Sequence, residues 1–172
     1  YLIMKFDFLI CSERSGSNLI TKIMDAHPDV CGPPPSHLIQ NMARNLFRYG
    51  DIEQDTNWDT FIEDVVFLLN NGVGQWLTKF ERKNIESNIK RRNLVDLIRY
   101  VYETEAKAHG KRRIFVKENH TCVFLSYLLT HFPEAKYIWM VRDPRDMAYA
   151  LRETPAMAGG ARHAAHYWYE DQ

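Results

Sequence analysis

The sequence is poorest in the features that would take it outside ordinary globular chemistry. No apolar run approaches the roughly 20 residues that a membrane-spanning helix needs, and no signal-peptide pattern is visible, so no membrane partner is expected. The chain begins at Tyr1 and not at a Met, which leaves room for an upstream segment. Cysteine is scarce: Cys11, Cys31 and Cys122 are odd in number and show no C-x-x-C spacing. That argues against a disulfide framework and a zinc site, and favours a reducing, cytoplasmic compartment with no metal. Neither sign of charge is in excess, with 22 Lys plus Arg against 22 Asp plus Glu, so net charge gives no hint of a nucleic-acid partner. Internal repeats and low-complexity tracts are missing as well. What remains is a chain of 172 residues, 45% apolar and 26% charged, which suits a single domain with a buried core.

Three short apolar runs read as strands. The stretch "IMKFDFLI" over residues 3–10 alternates and then turns wholly apolar, "RRIFVKEN" carries a second run at Ile114 to Val116, and "KYIWMVRDPRD" a third at Tyr137 to Val141. Continuous apolar character predicts buried parallel strands. From Ser17 the positions Leu19, Ile20, Ile23 and Met24 fall at helical spacing and Pro28 closes that helix, with His27 serving its end. Pro33, Pro34 and Pro35 make the segment from Cys31 to His37 a loop. The middle third predicts helices near 37–49, 58–71 and 93–109. Further helices are predicted near 121–131, from about Asp146, and from Ala161 to the end, with a flexible break at "PAMAGGAR". The triplets Lys90-Arg91-Arg92 and Lys111-Arg112-Arg113 read as solvated surface, and the sequon at Asn119 as coincidence.

This order is that of an α/β domain with a parallel sheet flanked by helices and a helical insertion between the first and second strands. Polar clusters recur just past each strand's carboxyl end: "SERSGSN", "KENHT" and "RDPRD". In open α/β sheets ligands bind along that edge. A turn rich in Ser with Gly16 at a helix start offers backbone N–H groups to an anion, and Arg14 adds a planar donor. The Walker pattern is not met, because Ser17 stands where Lys is required and Cys11 where the first Gly belongs.

The first cluster resembles the 5′-phosphosulfate loop of the sulfotransferases, in which a P-[RK]-S-G-T-T-L turn opens a helix ending in H-P. The stretch "FPEAKYIWMVRDPRDMAYAL" is similar to that family's 3′-phosphate motif, and "FVKENHT" to its Lys-bearing strand end, with the protein-tyrosine and bacterial branches closest. The resemblance covers residues 8–31 and 113–152 in the family's order. It implies a P-loop-like fold and a donor, 3′-phosphoadenosine 5′-phosphosulfate (PAPS), leaving adenosine 3′,5′-bisphosphate (PAP) as product. It further implies that Arg14, Ser15, Gly16, Ser17 and Asn18 hold the 5′-phosphosulfate and that Arg142 pairs with the 3′-phosphate. The resemblance implies as well that Lys117, assisted by Arg14, stabilises the leaving oxygen.

Two departures stand out. The family's 3′-phosphate Ser is Ala150 here, which costs about 0.5–1.5 kcal/mol of donor binding. The G-E-E-T stretch that supplies a basic Glu in the protein-tyrosine branch is missing, leaving His37, His120 and Glu118 as candidates for the general base. The expected acceptor is a small molecule or carbohydrate, and the oligomeric state stays open. Trp58, Phe61, Phe67, Phe80 and Tyr100 suit either an apolar acceptor pocket or plain core. Family members continue beyond the last helix, so the resemblance implies a domain that stops short at Gln172. A non-catalytic PAP- or PAPS-binding module and an atypical nucleotide kinase are the competing readings.

Overall fold

A computed structural model describes residues 4–72, 74–153 and 161–171. Four parallel strands, β1 (Lys5–Cys11), β2 (Val30–Cys31), β3 (Arg113–Lys117) and β4 (Lys136–Met140), lie in the order β2-β3-β1-β4. Helix α1 (Ser17–Asp25) follows β1. Helices α2 (Asp55–Asn71), α3 (Arg82–Asn88) and α4 (Leu94–Ala108) fill the insertion, α5 (Leu125–His131) precedes β4, and α6 (Pro144–Arg152) and α7 (Ala161–Asp171) follow it. The expected parallel sheet with flanking helices is what the chain forms.

The pleat of β1 sorts its side chains onto two faces. Phe6, Phe8 and Ile10 enter a large core shared with α2, α4 and α5, whereas Leu9 and Cys11 enter a smaller one beneath Ile20 and Met24 of α1. In β3, Ile114 and Val116 face the large core and Phe115 the small one. The same alternation aims Lys117 at the α1 side, where the Ser-rich turn lies, and Glu118 at the helical layer. Register reinforces this, since Lys117 lies opposite Leu9 and Met140 opposite Cys11, so all three strand ends meet along one edge.

Several segments differ from the sequence reading. Residues 37–49 are not one helix but a π-helical stretch, Ile39–Ala43, and a 3₁₀ turn, Leu46–Tyr49. Helix 121–131 begins as a 3₁₀ turn, Thr121–Phe124. The short β2 and α3 went unread because two strand residues and seven helical ones carry too little periodicity. β4 is no buried strand: it forms an edge of the sheet, and Trp139 is 50% exposed. The break at "PAMAGGAR" falls largely outside the described residues. Trp58, Phe61 and Phe80 are core, Tyr100 packs against it, and Phe67 faces solvent.

The triplet at 111–113 is not a free basic surface. Lys111 pairs with Asp25 at 2.7 Å, Arg112 with Asp29 at 2.7 Å, and Arg113 with the buried Asp7. His27 accepts from the Asp29 amide through Nδ1 at 3.1 Å and closes the turn after α1. Where α1 meets β2 the approach is close. A Cβ on Gly32 would lie 2.8 Å from the Thr21 carbonyl oxygen and 3.2 Å from the Asp25 Cβ. Gly32→Ala is therefore expected to destabilise the fold by about 1–3 kcal/mol, read as a lower urea midpoint at unchanged slope.

Candidate functional site

At the carboxyl edge of the sheet the chain leaves β1 through a turn that ends at Gly16, the residue capping α1. Gly16 adopts φ 96°, the left-handed region that glycine occupies freely, and the space where its side chain would stand is open. Nothing but backbone thus separates the first N–H groups of α1 from a ligand, and those ahead of the Leu19 amide, which bonds to the Gly16 carbonyl at 3.0 Å, lack intrahelical acceptors. The Ser15 hydroxyl is buried here beside the Cys11 thiol. Arg14 holds φ 62° within the same turn.

β4 brings Arg142 to this turn. Its guanidinium donates to the Arg14 carbonyl oxygen at 2.7 Å, and its own carbonyl accepts from Trp168 Nε1 of α7 at 2.9 Å. Arg145 takes no part, because it is chelated by Asp143 at 2.6 and 3.0 Å, and those bonds hold the Asp143 carboxyl down at about 2. β3 brings Lys117, whose ammonium donates to Asn119 Oδ1 at 2.6 Å. Burial pulls Lys117 below the ordinary lysine range, and the charges of Glu13 and Glu118 oppose that pull. The result is a cavity of about 360 Å³ lined by Glu13, Arg14, Gly16, Ser17, Asn18, Lys117, Asn119 and Arg142. Three cations and a helix start converge on one hollow, an arrangement that suits a ligand with more than one anionic group.

The remaining sequence candidates are placed unevenly. Glu118 is buried, and its carboxylate accepts from the Leu38, Ile39 and Gln40 amides at 3.1, 2.9 and 3.1 Å, from Tyr102 at 2.9 Å, and from Ser36. A carboxylate so occupied anchors the proline loop to β3 and is not free to take a proton from a substrate. Burial and the adjacent Glu118 charge hold the Tyr102 phenol well above its usual range, so it stays a donor. His37 has φ 58° and its Nδ1 is 3.0 Å from Gln40 Oε1, within the loop and not among the cavity's lining residues. His120, at φ 54°, lies against the site from outside, with Nε2 3.8 Å from Glu13 and its ring near Tyr167. Arg14, His37 and His120 are the non-glycine residues with positive φ among those described, a costly conformation that tends to gather at functional sites. Ala150 stands on α6 and does not line the cavity.

Two lining residues escaped the sequence reading, Glu13 and Asn119. Glu13 directly precedes Arg14 inside the Ser-rich turn, and attention to cations and hydroxyls passes over it. A second hollow, about 230 Å³, lies among Trp58, Glu86, Ile89 and residues 90–92. Its arginines are engaged, Arg92 with Asp55 at 2.6 Å and Arg91 with Asp96 at 3.6 Å, so it lacks the first cavity's free convergence. Among the described residues no group of His, Cys, Asp or Glu gathers as metal ligands would, and no helix is long and apolar enough to cross a membrane.

The model of the sulfotransferase family matches residues 8–171. The nodulation protein NoeE of Sinorhizobium fredii (strain NBRC 101917 / NGR234) is 26% identical over 147 residues, a match covering 86% of this chain and 31% of that protein. The sulfotransferase domain from the curacin biosynthetic pathway superposes with a TM-score of 0.54 at 19% identity, over 99% of this chain and 60% of that one. The chain thus spans about a third of the curated relative it matches, and the structural likeness speaks for the fold.

Proposed function

The chain belongs to the sulfotransferase family, and on that premise we propose that it moves a sulfuryl group from PAPS to a hydroxyl or amine of a small molecule or carbohydrate by in-line transfer. One observation carries the reading. The Arg142 guanidinium sits on the backbone of the turn that ends in Gly16, so the two anion-binding motifs address one ligand. A nucleotide with a 5′-phosphosulfate and a separate 3′-phosphate has the charge spacing that such a pair of sites would serve.

The residues divide the work. Arg14 and the N–H groups of Ser15, Gly16, Ser17 and Asn18 hold the 5′ end, and Arg142 holds the ribose phosphate. Lys117 reaches the hollow from β3 and offers its ammonium to the oxygen between phosphate and sulfur, where charge builds as the bond breaks. Bound PAPS supplies the activated sulfuryl group. Catalysis of such transfers rests on positioning and on stabilising outer-oxygen charge, which needs no covalent intermediate on the protein.

Calorimetry with PAP and with ADP on the wild-type chain tests the reading. PAP is expected to bind at least tenfold more tightly, because ADP lacks the 3′-phosphate that Arg142 would hold. Equal or tighter binding of ADP would instead favour a phosphoryl-transferring enzyme. A screen of labelled PAPS against phenols, amines and sugars then identifies the acceptor class.

A further inference from the structure

The hollow is built for anions, yet it contains a carboxylate. Glu13 lines it together with Arg14, Lys117 and Arg142, and the Glu13 side chain is only 17% exposed. A negative group here repels a sulfated, phosphorylated donor, so its presence works against donor affinity. Such a group is useful where it faces something with a proton to give. None of the three base candidates legible in the sequence lines the hollow. Glu118 is saturated by five donors, His37 is bonded to Gln40, and His120 stands behind Glu13.

We infer that Glu13 is the catalytic residue that receives the acceptor's proton, taking the place of the carboxylate that the loop after β2 lacks. This rests on the sulfuryl-transfer reading above. The acceptor oxygen forms its bond to sulfur as the bond from sulfur to the bridging phosphate oxygen breaks. The electron pair of that bond leaves with PAP, and the proton of the acceptor O–H passes to the Glu13 carboxylate. Lys117 stands on the leaving-group side of the same hollow, so one turn and one strand end supply opposite halves of the proton and charge balance. His120, with Nε2 3.8 Å from Glu13 and its ring steadied near Tyr167, is a positioning residue. It fixes the carboxylate from outside and does not touch the acceptor.

The experiment uses Glu13→Gln, Glu13→Asp and His120→Asn, the last chosen because Asn tolerates a left-handed backbone. PAP affinity is measured by calorimetry, and transfer to water is read as labelled sulfate released from PAPS. Glu13→Gln is expected to bind PAP as tightly as the wild type or more tightly, while sulfate release falls at least 100-fold, within the range a general base contributes. Glu13→Asp should keep a measurable part of the rate, and His120→Asn should lose less than Glu13→Gln does. Release within a few-fold of wild type in Glu13→Gln overturns the assignment. So does weakened PAP binding in that variant, which would make Glu13 a prop for the turn, and so does a larger loss in His120→Asn. A wild type that binds PAP but releases no sulfate above buffer also overturns it. Failure of the wild type to bind PAP sinks the donor reading instead, before any substitution is made.

Discussion

Arg142→Ala is expected to weaken PAP binding on the order of 100-fold, about 3 kcal/mol, while leaving the fold's urea midpoint within about 0.5 kcal/mol of wild type. Both halves of that expectation follow from where the side chain lies. Arg142 leaves the edge strand β4 and is only partly buried, so its removal opens no core cavity. Among the described residues its guanidinium bonds to the Arg14 carbonyl, which water can satisfy once the guanidinium is gone. What water cannot replace is a planar cation held beside the turn, ready for two-point contact with a phosphate. Arg142→Lys should recover only part of the affinity, since a point charge keeps the attraction and loses the fork. Calorimetry with PAP on the three proteins reads the effect directly, and unchanged affinity in the Ala variant would move the 3′-phosphate site elsewhere. Arg145→Ala is the internal control: that residue is spent on Asp143 and should change PAP affinity little.

Much of this arrangement was legible in the sequence because its signals are local. Seven residues of uninterrupted apolar or pleat-alternating character mark β1, and Gly16 between hydroxyl residues marks the turn that follows. The polar clusters after three strands fell along one edge because parallel strands all end on the same side. The rest depended on information that no window of sequence contains. That Glu118 faces the helical layer and Lys117 the α1 side follows from which face of β3 each packs against, and a tertiary fact of that kind decides which of two adjacent charged residues is free to meet a ligand. Glu13 has the same character: a carboxylate one residue before Arg14 looks like surface until the cavity is seen to form around both. The pairings of 111–113 escaped notice because their acidic partners, Asp25, Asp29 and Asp7, lie 86, 83 and 106 positions away.

Glu118→Ala is expected to unfold the chain or bring it close to unfolding, with a loss of about 5 kcal/mol against the roughly 5–15 that a domain of this size possesses. The carboxylate is the shared acceptor of three consecutive backbone amides at the start of the π-helical stretch and of two hydroxyls, and the amides and the Ser36 hydroxyl come from a loop some 80 positions away in sequence. Deleting it strands several buried donors at about 1–3 kcal/mol each, partly relieved by water entering the space. Glu118→Gln separates charge from shape. It keeps the volume but turns an NH₂ toward groups that are themselves donors, and a loss of about 3 kcal/mol is expected, read from urea unfolding. A midpoint unchanged by the Gln substitution would mean that the proline loop is anchored by Trp76 Nε1 on the Pro34 carbonyl instead. The position of this anchor explains its cost. Lys117 and Glu118 are consecutive on one strand end, so the bond network that pins residues 36–40 also fixes the backbone from which the ammonium reaches the hollow. The loop beside the site and the cation inside it are thereby held to one another through a single peptide unit, and loosening the first is expected to blur the second.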